Sequence, residues 1–354
     1  MDINIKDYDE VLDDNNNPIK QNEFSRRIGG HNDNSFVLCN GDIFYQLFDE
    51  IKYNPNCSYI TYLNDFIKRY YDGESLPITN ISCFKKEADY GFVEQAVSRL
   101  ANELQIPTQY TIHIAGDSVK ERAKKINELI RFGKPGDVVN INKGYLLSVD
   151  FISKNEKFDM MDSFIKKRNY NRYDSVAVNN DDALQTWFMK CVMCPDDDFV
   201  NPITNGNLSK DVREKLFGEF LPQYFFKKYI VKDKDVASRN FGIIYNTQNG
   251  EYKMSPMYDF EYSFHRYSNI TEDMKENQVL NLRYELIFAY KLYPEIMENF
   301  ITKVWDLYHG DILNSDWIAI NGYRLNDDYK KFIVASLDDF VDAINTLQTT
   351  LDLD

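Results

Sequence analysis

The chain has 354 residues, 43% of them hydrophobic and 15% aromatic, with 25 Tyr and 24 Phe. That apolar content can fill a large core and excludes a globally disordered chain. With 56 acidic against 41 basic residues the formal charge is −15, so a phosphate backbone would be repelled and direct nucleic-acid binding is not expected.

Residues 1–20 (MDINIKDYDEVLDDNNNPIK) are polar and acidic and read as a flexible arm. They lack the cationic start and apolar run of a Sec signal peptide. No stretch approaches the roughly 20 apolar residues of a membrane span. The expectation is a soluble protein that is cytoplasmic, or is exported into a host cell by a specialised secretion system. The five cysteines, Cys39, Cys57, Cys83, Cys191 and Cys194, are odd in number and scattered. That pattern suits reduced thiols better than a disulfide framework.

Gly29-Gly30-His31-Asn32-Asp33-Asn34 forms a loop rich in glycine and amide, open to two readings, a plain turn or a phosphate cradle. Ser35–Phe48 then reads as a β-hairpin about Asn40-Gly41. Helical spacing follows over 59–72 and, more clearly, over 90–104, where Phe92, Val93, Ala96, Val97, Leu100 and Leu104 recur at three- and four-residue intervals. A helix over 119–132, strands over 138–141 and 145–151, and helices over 158–168, 181–194 and 209–229 come next. A second hairpin is expected at 241–246 and 251–255, and long helices at about 273–308 and 327–350. Strands dominate the first part and helices the second, an α+β pattern in two unequal lobes. The division is a strand-rich N-lobe over 21–152 and a helical C-lobe over 153–354.

Cys191 and Cys194 form a CxxC inside an apolar helical run, with no second Cys or His pair at zinc spacing. Buried thiols are the expected reading. His31, His113, His265 and His309 make no HxxxH or HExxH pair, which argues against catalytic zinc.

The chemically informative stretch is Lys232-Asp-Lys-Asp235-Val-Ala-Ser-Arg-Asn240-Phe-Gly242, followed after the hairpin by Met254-Ser-Pro256-Met-Tyr258-Asp259. Phosphoryl transfer needs a carboxylate to orient the attacking hydroxyl and hard oxygen ligands to hold magnesium on the phosphates. Asp235 and Asn240 place a carboxylate and an amide at the two ends of one loop. Asp259, on the far side of the hairpin, can return to the same place. Asp233 fits that spacing less well and reads as a solvated charge.

This pattern resembles the HipA-like and CtkA-like bacterial serine/threonine kinases, whose motif is close to D-R-H-x-x-N-F/W-G, a hairpin, and A-P-x-Y/F-D. Asp235, Asn240, Phe241, Gly242, Pro256, Tyr258 and Asp259 stand at matching positions. The resemblance implies a two-lobed protein-kinase-like fold that uses ATP and Mg²⁺ to phosphorylate Ser or Thr of a protein, itself included. Asp235 would be the catalytic base, and Asn240 and Asp259 the metal ligands. It also implies nucleotide-binding roles for Gly29, Gly30, Asn32 and Asn34 in the glycine loop. Glu94 would lie on the helix that orients a phosphate-binding lysine, and Asp150 near the segment joining the lobes. That lysine is not in the strand expected to carry it, Phe44-Tyr-Gln-Leu-Phe48, which leaves Lys52, Lys85 and Lys86, with Lys85 preferred. Val236-Ala237 replaces the family's Arg-His. These two departures keep open a pseudokinase or toxin–antitoxin-type module, and a small-molecule phosphotransferase is the third reading. The partner implied is a protein substrate, with a host protein or an antitoxin as candidates.

Overall fold

The structure is a computed structural model. It describes residues 11–12, 18–19, 34–40, 80–87, 91–109, 111–114, 130–131, 145–149, 151–152, 155–165, 183–260, 262–264, 272–310, 319–320, 323–324 and 327–351. Two compact units emerge, and each is considered by itself. The first comprises 1–103, 108–156 and 315–324; the second comprises 104–107, 157–314 and 325–354.

In the first unit, strands β1 (Val11–Leu12) and β2 (Pro18–Ile19) pair antiparallel within the stretch read as an arm. Strands β3 (Asn34–Asn40), β4 (Asn80–Glu87), β5 (Thr111–Ile114), β6 (Ile130–Arg131) and β7 (Tyr145–Val149) form an antiparallel sheet of order β5-β7-β4-β3-β6. Of the hairpin expected at Ser35–Phe48, the first arm falls among the described residues, within β3. β3 pairs with β4, from Asn34 opposite Lys86 to Asn40 opposite Asn80, and the hairpin's second arm lies outside the described residues. Ile130 and Arg131, expected at the end of a helix, instead pair with Cys39 and Leu38.

Helix α1 (Gly91–Glu103) forms where the apolar spacing predicts it and packs on β5. Its apolar stripe (Val93, Ala96, Val97, Leu100) is buried, and so are the polar residues between, Glu94, Gln95, Ser98, Arg99 and Asn102. The helix is enclosed all round rather than half-solvated, a departure from the amphipathic pattern.

In the second unit, β8 (Glu156–Met160), β9 (Gly242–Asn246) and β10 (Tyr252–Met254) form an antiparallel sheet of order β10-β9-β8. The helix expected over 158–168 is therefore a strand followed by a 3₁₀ turn at Met161–Phe164. Pairing across the sheet overrides local spacing here, as is common for short apolar runs. The β9–β10 turn matches its sequence signal. Gly250 adopts φ 75°, and the Asn246 side chain accepts from the amides of Gln248 and Asn249.

Helices α2 (Leu184–Cys191), α3 (Lys210–Phe225), α4 (Glu272–Leu292), α5 (Pro294–His309) and α6 (Asp327–Leu351) supply the remaining framework. The single helix expected over 273–308 is divided at Pro294, because the residue before a proline avoids helical geometry and Tyr293 takes φ −136°, ψ 62°. Ser209 caps α3 by accepting from the amide of Val212. Beyond α3 the chain widens into a π-turn at Phe226–Ile230, where the Val231 amide donates to Phe226 O five residues back. Such turns are often found at functional sites.

Trp187 of α2 stacks on Phe220 of α3 at 4.9 Å, and Phe241 meets Phe220 edge-on at 4.8 Å, so the start of β9 is pinned to the aromatic core. Cys191 and Cys194 are buried free thiols, as expected, and burial pushes both thiols up, away from the reactive thiolate. The Arg213 guanidinium closes the end of α2 by donating to the carbonyls of Cys191, Val192 and Cys194. The α+β class matches the sequence expectation.

Candidate functional site

The loop from Val231 to Asn240 is built against the segment that follows Asp259. Lys234 donates its amide to Tyr262 O, and the amide of Phe264 donates to Val231 O. Lys232 takes φ 47°, turning the chain so that its ammonium pairs with Asp339 of α6 at 2.9 Å. The same turn drives Asp233 inward. Its side chain is fully buried, accepting from the amide of Asp235 at 2.8 Å and the Ser263 hydroxyl at 3.3 Å. The solvated reading of Asp233 is thus wrong. It is the internal brace of the loop. Burial pushes its carboxyl up to about 6, against the opposing pull of the Lys227 ammonium.

Asp235 follows at the mouth of the loop, its side chain about one-fifth exposed, with its carboxylate bonded to the guanidinium of Arg239 one turn later. The Asp235 carbonyl accepts from Nδ2 of Asn240 at 2.7 Å. That bond commits the amide nitrogen and fixes Oδ1 as the atom able to ligate a cation. Phe241 is buried in the aromatic core immediately after Asn240. Gly242 is required by contact, since a Cβ there would lie 2.0 Å from the Phe158 ring and 2.8 Å from Ser255 Oγ.

β10 returns the chain to Tyr258 and Asp259. Pro107 O accepts from the amide of Met257 at 2.9 Å. The Tyr258 hydroxyl donates to Arg239 O at 2.9 Å, tying the second segment to the first. Asp259 takes φ 60°, a left-handed conformation rare outside glycine and tolerated best by Asn and Asp. A strained backbone at a carboxylate is the kind of outlier that functional sites retain.

The two segments meet at Lys227, from the π-turn. Its side chain is fully buried, and its ammonium donates to Tyr258 O at 2.7 Å, Asn240 O at 3.2 Å and Asp259 O at 3.4 Å. The rings of Phe241, Tyr258 and Phe260 face it at 4.8–5.7 Å. The carbonyls of Asn240, Tyr258 and Asp259 thus meet at one ammonium, and Asp235 is joined to Asn240 through its own carbonyl.

Around them the field is acidic. Asp235, Asp259 and Asp162 all hold the Arg239 cation in its charged form, the hydrogen bond from Asp235 contributing most. Burial raises the Asp162 carboxyl, with Asp159 adding to the effect. Burial, then Asp259, Asp162 and Asp159, keep the Tyr258 phenol protonated.

Among the described residues, no group of three or more His, Cys, Asp or Glu side chains is arranged to hold a metal ion. One carboxylate and one amide oxygen do not make a dedicated metal cage. They do suit Mg²⁺ carried by a nucleotide, because that ion draws on one or two protein oxygens and takes the rest from phosphate and water. The donor set fits the group.

The other predicted site residues fare differently. Gly29, Gly30, Asn32 and Asp150 lie outside the described residues. Asn34 is not a loop residue but the first residue of β3, paired with Lys86. Lys85 lies on β4, between Ser35 of β3 and Leu147 of β7. Glu94 is buried, 3% exposed, in the first turn of α1. Sequence reasoning missed Lys227, Arg239 and Ser263. For Lys227 the available signal is its position eight residues before Asp235, in a largely apolar run that it shares with Lys228.

No protein-family model matches the chain, and no curated protein matches it. Among solved structures, it is similar to the Helicobacter pylori proinflammatory kinase CtkA at 12% identity and TM-score 0.39, covering 78% of this chain and 93% of that one. A chain of the Shewanella oneidensis MR-1 toxin–antitoxin complex of HipA, HipB and operator DNA gives 12% identity and TM-score 0.42, over 75% and 60% of the two chains. The Golgi casein kinase gives 9% identity and TM-score 0.36, over 75% and 66%. At such low identity and superposition no residue role transfers to this chain. Among the described residues, no helix is long and apolar enough to cross a membrane.

Proposed function

We propose that this chain is an ATP- and Mg²⁺-dependent protein kinase that transfers phosphate to a Ser or Thr hydroxyl, its own or that of another protein. The observation that carries this reading is the convergence of the Asp235–Asn240 loop and Asp259 on the single ammonium of Lys227. Asp235 is the base: it orients the substrate hydroxyl and accepts its proton as that oxygen bonds to the γ-phosphorus and the bond to the β,γ-bridging oxygen breaks, releasing ADP. Asn240 Oδ1 and the Asp259 carboxylate would hold the magnesium, which would neutralise phosphate charge when bound. Asp233 fixes the approach to Asp235 by bonding its amide, and Tyr258 fixes the loop's far end through Arg239 O. Catalysis on this scheme rests on positioning and charge, with no covalent enzyme intermediate.

The protein would be incubated with labelled ATP, Mg²⁺ and generic protein substrates, beside Asp235→Asn. We expect transfer by the wild type and a fall of about 10²–10⁴-fold in the variant. Unchanged transfer in Asp235→Asn would remove Asp235 from the role.

One observation favours a second reading, a pseudokinase that binds without transferring. The Asp235 carboxylate is already bonded to Arg239, which occupies an oxygen that a substrate hydroxyl would need. Binding of Mg²⁺ with an ATP analogue, but no transfer to any protein, supports that reading. Transfer to a small alcohol and to no protein would replace both with a small-molecule phosphotransferase.

A further inference from the structure

We propose that Lys227 is a positioning residue for the metal: its ammonium clamps the main chain at Asn240 and Asp259 and so sets the spacing of the two ligating side chains. The inference rests on the reading of Asn240 and Asp259 as cation ligands.

A fully buried lysine is costly and persists only where the surroundings satisfy its charge. Here three ammonium protons meet three carbonyl oxygens. All three carbonyls belong to the prospective ligands or to the residue beside one of them. They lie 13, 31 and 32 residues away in sequence, so one side chain ties together two segments with no local reason to meet. Two of the three, Tyr258 O and Asp259 O, flank the left-handed residue Asp259, whose conformation needs external support. The rings of Phe241, Tyr258 and Phe260 enclose the ammonium and add attraction that water would weaken.

The neighbouring residue provides a control. Lys228 leaves the same π-turn in another direction, pairing with Glu285 at 3.1 Å and facing Tyr224 and Tyr229. Its Glu285 and tyrosine contacts lie in the helical framework, so replacing it should disturb that framework first. Groups that orient ligands from outside the coordination shell typically contribute about 10–100-fold to metal affinity.

The test is Mn²⁺ binding, followed by electron paramagnetic resonance, to the full chain with AMP-PNP present. Wild type, Lys227→Met, Lys227→Gln and Lys228→Met are compared, with thermal stability recorded for each. We expect Mn²⁺ affinity to fall about tenfold or more in Lys227→Met. It should fall less in Lys227→Gln, whose amide keeps two donors, and stay at the wild-type value in Lys228→Met. Should Lys227→Met fail to fold, the Lys227→Gln affinity decides. Wild-type affinity in the folded Lys227 variants overturns the proposal, and so does equal weakening in Lys228→Met, which would mark general damage. A wild-type protein that holds no Mn²⁺ defeats the ligand reading itself, and this inference with it.

Discussion

Lys227 and Lys228 are successive residues of one π-turn, and their surroundings differ in kind. Lys228 sits in a knot of side chains. Glu285 accepts from its ammonium, from the Tyr224 and Tyr229 hydroxyls at 2.9 and 2.7 Å, and from the amide of Leu184 at the start of α2. Lys227 reaches main-chain carbonyls of the loops that carry Asn240 and Asp259. The first arrangement joins α2, α4 and the end of α3, and could be exchanged for other well-packed side chains without changing the backbone path. The second couples a charge to the course of two loops. The residue type and the turn are the same, and the partners differ: side chains of the helices for Lys228, main-chain carbonyls of two loops for Lys227.

That contrast can be broken from either side. The largest stability effect should come from Glu285→Ala, which leaves the Lys228 charge and two tyrosine hydroxyls without their shared acceptor. Removing one partner of a buried ion pair typically costs about 3–5 kcal/mol. Denaturant unfolding should show that loss, while the folded variant keeps its Mn²⁺ affinity. A stable Glu285→Ala with impaired metal binding would reverse the roles assigned to the two lysines.

Asp233 sharpens the comparison through pH. Its carboxyl titrates at about 6 in the folded protein, above the ordinary aspartate value, because burial disfavours the charge. The folded state therefore holds this proton more tightly than the unfolded state does. The stability it contributes is complete at low pH and is lost as pH rises through about 6. Thermal unfolding of wild type relative to Asp233→Asn should show the wild-type advantage shrinking between about pH 4 and 6.5, by on the order of 1.4 kcal/mol per pH unit at most. A difference that stays flat across this range would mean that Asp233 is not buried in the charged surroundings described.

The smallest effect belongs to Arg239→Ala. The guanidinium is more than half exposed, so its bond to Asp235 should contribute within about 1 kcal/mol to stability. Phosphate transfer should persist, because Arg239 masks the base without ligating metal. A collapse of transfer to the level of Asp235→Asn would place Arg239 in the machinery itself.

The legible parts were those written in side chains at short range. The β9–β10 hairpin and its Asn246–Gly250 turn follow from local spacing, whereas Asp235, Asn240 and Asp259 were singled out by spacing together with the resemblance, and their roles are a proposal. Lys227 was hidden because its partners are carbonyls, which every residue possesses and no sequence distinguishes. Asp233 was misread because Lys232-Asp-Lys-Asp resembles a solvated charge run. The left-handed turn at Lys232 and the turn at Tyr262–Phe264 bury it. The stretch 158–168 has apolar spacing that serves a helix or an edge strand, and pairing with distant β9 decided for the strand. The long helix over 273–308 missed its division although Pro294 stood in plain view.

A crystal structure with Mg²⁺ and a nonhydrolysable ATP analogue tests the central claim most directly. The account predicts a cation with Asn240 Oδ1 and an Asp259 carboxylate oxygen both at about 2.0–2.1 Å. It also predicts Asp235 beside the terminal phosphate, and Lys227 still bonded to the carbonyls of both ligands. Nucleotide bound elsewhere, or a cation that Asn240 and Asp259 do not share, would contradict it.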